Sequence, residues 1–325
     1  MPRAVKIAGG LVVLTALVAF PFVFTKPFPR HVMIMIFLYA MLAQAWNVLA
    51  GYCGQISLGH AVFFGAGAYT STVLVTRFGL TPWAGMLAGA VLAVLLSQAI
   101  GYPVFRLRGH YFAIATIAVG EIVQTLVISW DWVGGARGLF VPIVRPDSFR
   151  SFQFHQSKQT YYYIALGLLL LALAITRRME GSRTGYYFRA IREDQDAAAS
   201  LGIPVARYKQ RAMALSAGLT ALGGTFYAQY ILFIDPESVL PLALSILICL
   251  VAVLGGVGTL WGPLIGAAIL IPLGEWTRVA LGGTGKAIDL LVYGALIMLV
   301  SVIQPGGIMA LAERGRRRTG RPDAS

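Results

Sequence analysis

Charge is what this chain has least of. Asp, Glu, Lys and Arg make up 12% of its 325 residues, where soluble domains carry about a quarter. A water-soluble globular domain is thereby excluded. So is a nucleic-acid-binding domain, because the net charge of +13 is dispersed among apolar runs with no aromatic-interleaved basic patch. Cysteine is nearly missing. Cys53 and Cys249 lie in or beside apolar runs, which excludes a disulfide framework or a thiolate metal site and leaves them as small apolar fillers. The four histidines, at 31, 60, 110 and 155, have no metal-ligand spacing, and no nucleophile–base pair stands out. The one stretch resembling a phosphate loop, Gly282 to Lys286, lacks that motif's first glycine and its Ser/Thr after the lysine, and it follows an apolar run instead of a strand. No catalysis, metal or cofactor is expected in this chain.

In place of charge there are long hydrophobic runs. Hydrophobic residues make up 58% of the chain and the mean hydropathy is +0.74. A spanning helix takes about 20 apolar residues. Runs of that kind fall near 7–24, 31–50, 57–76, 82–105, 110–130, 160–176, 211–233, 239–255, 260–279 and 286–303, which makes about ten transmembrane helices. The runs are continuous instead of alternating, which excludes a β-barrel. The expected fold class is all-α integral membrane, with one polytopic transmembrane domain over 1–305 and a basic tail over 306–325. Basic residues set the orientation. With the N-terminus inside, 17 of the 26 Lys and Arg fall on the cytoplasmic side and 9 outside. Both termini and a loop at 178–210 are then cytoplasmic, and a loop at 131–159 faces outward. For the tail around Arg314–Arg318, contact with anionic lipid headgroups and plain disorder both remain open. The first run resembles a signal-peptide core, but no small-residue cleavage site precedes Pro21, so it reads as a retained anchor.

Four features interrupt the apolar background. Residues 177–211 hold eight Lys/Arg and four acids, a density that hydrocarbon does not accept. The core of this stretch, Arg189 to Ile203, reads as one short helix carrying Arg192, Glu193, Asp194 and Asp196, closed by Gly202 and stopped by Pro204. A docking surface for a soluble partner and a solvated loop are both open readings. In the segment 46–61, three glycines with Asn47, Gln55, Ser57 and His60 break an apolar run. Unwound backbone at membrane depth is tolerated where it packs in protein or lines a cavity, so a transport pathway competes with a short turn between spans. Glu121, with Gln124 and Thr125 on the same helical face, lines a pathway or serves as a hydrogen-bonding hub. Near helix ends, Glu275 is expected to pair with Arg278 and Asp289 with Lys286. A faint internal echo also runs from Gly51-x-x-Gly54 to Gly255-x-x-Gly258.

Taken in order, Asn47 to Tyr69, Gly134 to Leu139, Ala190 to Ile203 with Ser216 to Gly224, and Leu254 to Ala267 resemble the LivM-type permeases, the membrane subunits of branched-chain amino acid ABC importers. The likeness covers about residues 40–305. One departure is that the general coupling motif begins Glu-Ala-Ala, whereas here Glu193-Asp-Gln-Asp precedes the alanines. The resemblance implies the ten-helix permease fold of type II ABC importers in a bacterial inner membrane. It also implies a homologous second permease subunit, two ATP-binding subunits that hold ATP and Mg, and a periplasmic substrate-binding protein. On that reading Arg189, Arg192, Glu193, Asp194, Asp196 and Gly202 serve ATPase coupling, while Asn47, Gln55, Ser57, His60, Glu121 and Gln124 line the substrate pathway. Urea, short amides or aromatic acids as cargo, and an ion-coupled secondary transporter, stay open as alternatives.

Overall fold

In hydrocarbon every backbone amide must be paired within the protein, and this chain meets that demand with helices. The computed structural model describes residues 15–143, 147–154 and 157–280, together with residues 294, 308 and 309. A helical segment over 15–23, α1, precedes α2 (Pro27–Asn47), which runs on into a π-helical turn, Val48–Tyr52. Next come α3 (His60–Phe78), α4 (Pro82–Val104), α5 (His110–Ile128), α6 (Gln159–Glu180), α7 (Arg183–Glu193), α8 (Gln195–Ser200) and α9 (Val205–Ile231). The described part closes with α10 (Pro236–Val239), α11 (Leu242–Gly255) and α12 (Gly262–Ala280). Among the described residues, five helical stretches are long and apolar enough to cross a membrane: Pro27–Tyr52, Pro82–Val104, His110–Ile128, Gln159–Glu180 and Pro236–Gly255. The protein is therefore mostly helical and multi-pass.

Local chemistry sets the helix ends. Pro27 and Pro82 stand in the first turns of α2 and α4, where a missing N–H costs nothing. Thr81 Oγ1 caps α4 by accepting from Ala84 N–H at 3.4 Å. Asp235 and Ser238 form a capping box at α10. Compared with the expected runs, α3 begins only at His60, and α9 reaches back to Val205 with a polar first turn. The run at 239–255 is split by Pro241 into α10 and α11. The run at 286–303, the Asp289–Lys286 pair and the tail lie outside the described residues, apart from 294, 308 and 309.

Two packing zones result. Helices α3, α4 and α9 pack closely because Gly67 lies on the Ala221 carbonyl and Gly224 on the Phe64 carbonyl. A methyl group at either position would overlap that backbone, which is how small residues hold membrane helices together when apolar burial offers no net drive. Helix α2 sits among α6, α9, α11 and α12 and contributes a large share of the main apolar cluster, from Ile34 to Trp46. A second cluster joins Val48, Leu49, Tyr52 and Cys53 to Phe188 and Ile191 of α7 and Ala198 of α8. At the far end of the bundle, β1 (Leu139–Phe140) pairs antiparallel with β2 (Phe233–Ile234), matching Leu139 to Ile234. There Arg77 donates to the Trp132 carbonyl at 2.8 Å and Trp83 to the Phe149 carbonyl at 2.8 Å.

Candidate functional site

At one end of the bundle, the charged stretch forms a docked platform and not a free loop. Ser182 caps α7, its Oγ accepting from Gly185 N–H at 3.4 Å. Gly185, Phe188 and Ile191 form one buried face of that helix. Arg189 closes the corner with α6 by donating to the carbonyls of Glu180 at 2.7 Å and Gly185 at 3.4 Å. The single helix expected over 189–203 is in fact two. Asp194 is extended (φ −156°, ψ 114°), and its Oδ1 accepts from Asp196 N–H at 2.8 Å and Ala197 N–H at 3.0 Å. A short acid that can hydrogen-bond its own downstream amides ends α7 and starts α8. Those donors, Ala197 first, hold the Asp194 carboxyl below the usual carboxylate range. Gly202 ends the segment at φ +83° with open space around it, as a left-handed helix stop requires.

The solvent-facing side of this platform is mostly polar. Asp196 pairs with Arg108 of the α4–α5 connection at 3.0 Å, and Glu193 with Arg192 at 2.7 Å. Lys209 donates to Gln195 Oε1 at 2.7 Å. Between α7, α8 and the 54–55 turn lies an open cleft of about 340 Å³ lined by Gln55, Arg108, Glu193, Asp196 and Lys209. Beside it Leu201 is 82% exposed.

The 47–60 segment packs against this platform at one end and enters the helix bundle at the other. Asn47 is buried, accepting from Gly258 N–H at 2.7 Å and donating to the Thr259 carbonyl at 2.9 Å. Trp46 Nε1 donates to the Ser57 carbonyl at 2.7 Å, and Gly59 N–H donates to Ser57 Oγ at 3.3 Å. His60 Nε2 and Ser216 Oγ are 2.7 Å apart. The unwound backbone is satisfied from neighbouring helices: Leu58 N–H donates to Thr116 Oγ1 at 3.0 Å and Ala61 N–H to Ser245 Oγ at 2.8 Å. Gln55 faces the charged cleft instead, its amide donating to the Cys53 carbonyl at 3.3 Å.

The two acids singled out in or near spans fare differently. Glu121 lies on the exposed side of α5, a helix that buries only Phe112 and Thr116 in this chain. Gln124, one turn on, donates to the Pro236 carbonyl at 3.4 Å and so ties α5 to α10. Glu275 approaches His31 Nε2 at 3.8 Å, while the side chain of its expected partner, Arg278, lies outside the described residues. The six pathway candidates thus fall into three groups: Asn47, Ser57 and His60 in the packed interior, Gln55 at the charged cleft, and Glu121 with Gln124 on α5.

The family of branched-chain amino acid transport system permease components matches residues 29–301 of this sequence. The chain belongs to that family. Among its relatives, the high-affinity branched-chain amino acid transport system permease protein LivM of Salmonella typhimurium is 28% identical over 93% of this chain and 74% of its own. The corresponding protein LivH of Escherichia coli is 27% identical over 85% of this chain and 92% of its own. A solved structure, PsaBC from Streptococcus pneumoniae in complex with Fab, aligns over 89% of this chain and 95% of that one at 15% identity, with a TM-score of 0.46.

Membership in a family of transport permease components agrees with the lack of catalytic groups in the sequence. Several residues that build this permease's site carried no legible signal. Thr116, Ser216 and Ser245 are lone hydroxyls in apolar helices, revealed only by their distant partners: Thr116 and Ser245 accept from the Leu58 and Ala61 amides, and Ser216 meets the His60 ring. Leu201 did carry a signal, since a leucine wedged between Ser200 and Gly202 at a helix end has no buried face to join.

Proposed function

We propose that this chain is a transmembrane permease subunit of an ABC importer that carries branched-chain or related hydrophobic amino acids inward across a bacterial inner membrane. In this reading ATP and Mg are held by two separate ATP-binding subunits, a homologous second permease completes the membrane part, and a periplasmic binding protein delivers the substrate. Ten spans in the type II importer arrangement, with both termini cytoplasmic, complete it. Family membership and the names of the relatives support the substrate class and speak against urea, amide or ion-coupled alternatives.

The observation that carries the proposal is the α7–α8 platform. A six-residue helix is far too short to hold itself in water, yet α8 is fixed by Asp194, Ala198 and the Lys209–Gln195 bond. A rigid surface combining acids, bases and one exposed leucine suits a soluble protein partner, with Leu201 as its apolar anchor. On the α5 side, a charged Glu121 facing lipid would be costly. Its exposure in the single chain supports a second permease, or a water-lined pathway between the two, across that face. Transport then proceeds by alternating access: closure of the ATPase dimer moves α7–α8, and the helices packed on them reorient around the substrate path.

Capture of the ATP-binding subunits by the tagged permease, together with leucine uptake into proteoliposomes, tests this reading. Leu201→Asp should weaken capture by about tenfold or more, since burying a leucine contributes roughly 1.5–3 kcal/mol. Glu193→Lys should weaken it less, because an exposed charge pair contributes little. Undiminished capture and uptake in both variants would reduce the platform to a solvated loop.

A further inference from the structure

Arg192 was expected to serve ATPase coupling; it is partly exposed beside the charged cleft, and one end of its guanidinium reaches back to the permease backbone. Nη1 donates to the Gly51 carbonyl at 3.0 Å, at the end of the π-helical turn that finishes α2. Nε and Nη2 both bind Glu193 Oε1, at 3.1 and 2.7 Å. The stem lies on Gly54, where an added Cβ would come within 2.9 Å of Arg192 Cγ. The head lies on Gly258, where a Cβ would stand 2.7 Å from Nη1. Gly51 in turn meets Gly258, since a Cβ on Gly51 would be 2.6 Å from the Gly258 nitrogen. Asn47 fastens the same two strands of backbone through Gly258 and Thr259. Gly51 and Gly258 of the internal echo are thus where the end of α2 and the α11–α12 connection cross. Gly54 and Gly258 leave room for one arginine.

We infer that Arg192 is the positioning residue that transmits movement of the α7–α8 platform to α2 and the α11–α12 connection, acting through the Gly51 carbonyl and Gly258 and not through contact with the ATPase. The inference rests on the permease reading above and assigns a function within it. A cation on carbonyls at a helix C-terminus is favoured by the helix dipole. Its charge-assisted bond is stronger than a neutral one, so α7 cannot shift without drawing on that carbonyl. Because Asn47 joins α2 to Gly258 and Thr259, the pull reaches two elements of the bundle together. Arg189, one turn back, serves the α6–α7 corner instead and offers no such route.

The test uses the complete importer in proteoliposomes with radiolabelled leucine. Arg192→Ala should keep ATPase capture and ATP hydrolysis within about threefold of native while uptake per ATP falls at least about tenfold, the worth of one charge-assisted hydrogen bond. Arg192→Lys, which can reach the carbonyl but cannot also fork onto Glu193, should fall between the two. A covalent tie makes the second arm, because a Cβ at position 54 would stand 3.3 Å from Arg192 Cβ, close to disulfide spacing. In a Cys53→Ser, Cys249→Ser background, Gly54→Cys with Arg192→Cys should be uncoupled when reduced and recover uptake per ATP when oxidised. Loss of capture in Arg192→Ala would place the residue on the docking surface and overturn the inference, as would native uptake per ATP or a disulfide that forms without recovery. Should the native complex itself neither capture an ATPase nor take up leucine, the permease reading fails instead.

Discussion

Helices α2 and α5 are nearly equal in apolarity and opposite in burial. Their most apolar stretches have mean hydropathies of 1.9 and 1.8, yet 83% of the first is buried in this chain and 11% of the second. In water such helices would both be driven inside. In a bilayer lipid is as apolar as a protein core, so hydropathy reports that a helix spans and says nothing about what it faces. What separates the two is the use of polar groups. In α2, Asn47 bonds the backbone of another connection inside the same chain. In α5, Glu121 is exposed in this chain, on the side where the proposed second permease or water path would stand.

The comparison breaks first at Asn47. Asn47→Leu strands the Gly258 N–H and the Thr259 carbonyl in the interior, at about 1–3 kcal/mol each. Folded permease in detergent should melt earlier and accumulate poorly, whereas Met41→Leu, an apolar exchange on the same helix, should leave the melt within a degree or two. An equally stable Asn47→Leu protein would mean that α2 and α5 are not distinguished by polar bonding at all.

An intermediate effect is expected on α5. Glu121→Leu should leave the melting temperature of the isolated subunit unchanged or raised, because Glu121 is exposed in this chain. Leucine uptake by the assembled importer should nevertheless fall by about tenfold, the usual scale of one lost polar contact. Ile122→Ala, next along the same exposed surface, should cost uptake little. Equal indifference at both positions would assign the face to lipid.

The smallest effect belongs to the aqueous platform, where neither rule holds and solvent competes for every bond. Asp194→Ala should weaken ATPase capture modestly, while Asp194→Asn, which also accepts at a helix N-cap, should retain it. The carboxyl is held below its ordinary value by the Ala197 and Asp196 amides, so its contribution is complete above an aspartate's unfolded pKa of about 3.9 and is lost as pH falls through the lower folded value. Capture profiles of native and Asp194→Asn complexes should therefore superimpose above about pH 5, and the native one should decline more steeply further into acid.

Composition and run length alone determined that this is a multi-pass helical membrane protein, because that follows from what hydrocarbon excludes: charge, and backbone left unpaired. The charged stretch was legible for the same reason, as were Gly202 and Pro204 at its end. Its division at Asp194 was not, since a helix and a capped break share one local sequence and only the docking of Phe188, Ile191 and Ala198 selects between them. The roles of Asn47, His60 and Arg192 were likewise closed to a linear reading. Their partners are Gly258 and Thr259, Ser216, and Gly51, each more than 100 residues away in the chain. Which amide or carbonyl a polar side chain satisfies is decided by the crossing of distant segments. In this protein those crossings are set by where glycine lets two backbones touch.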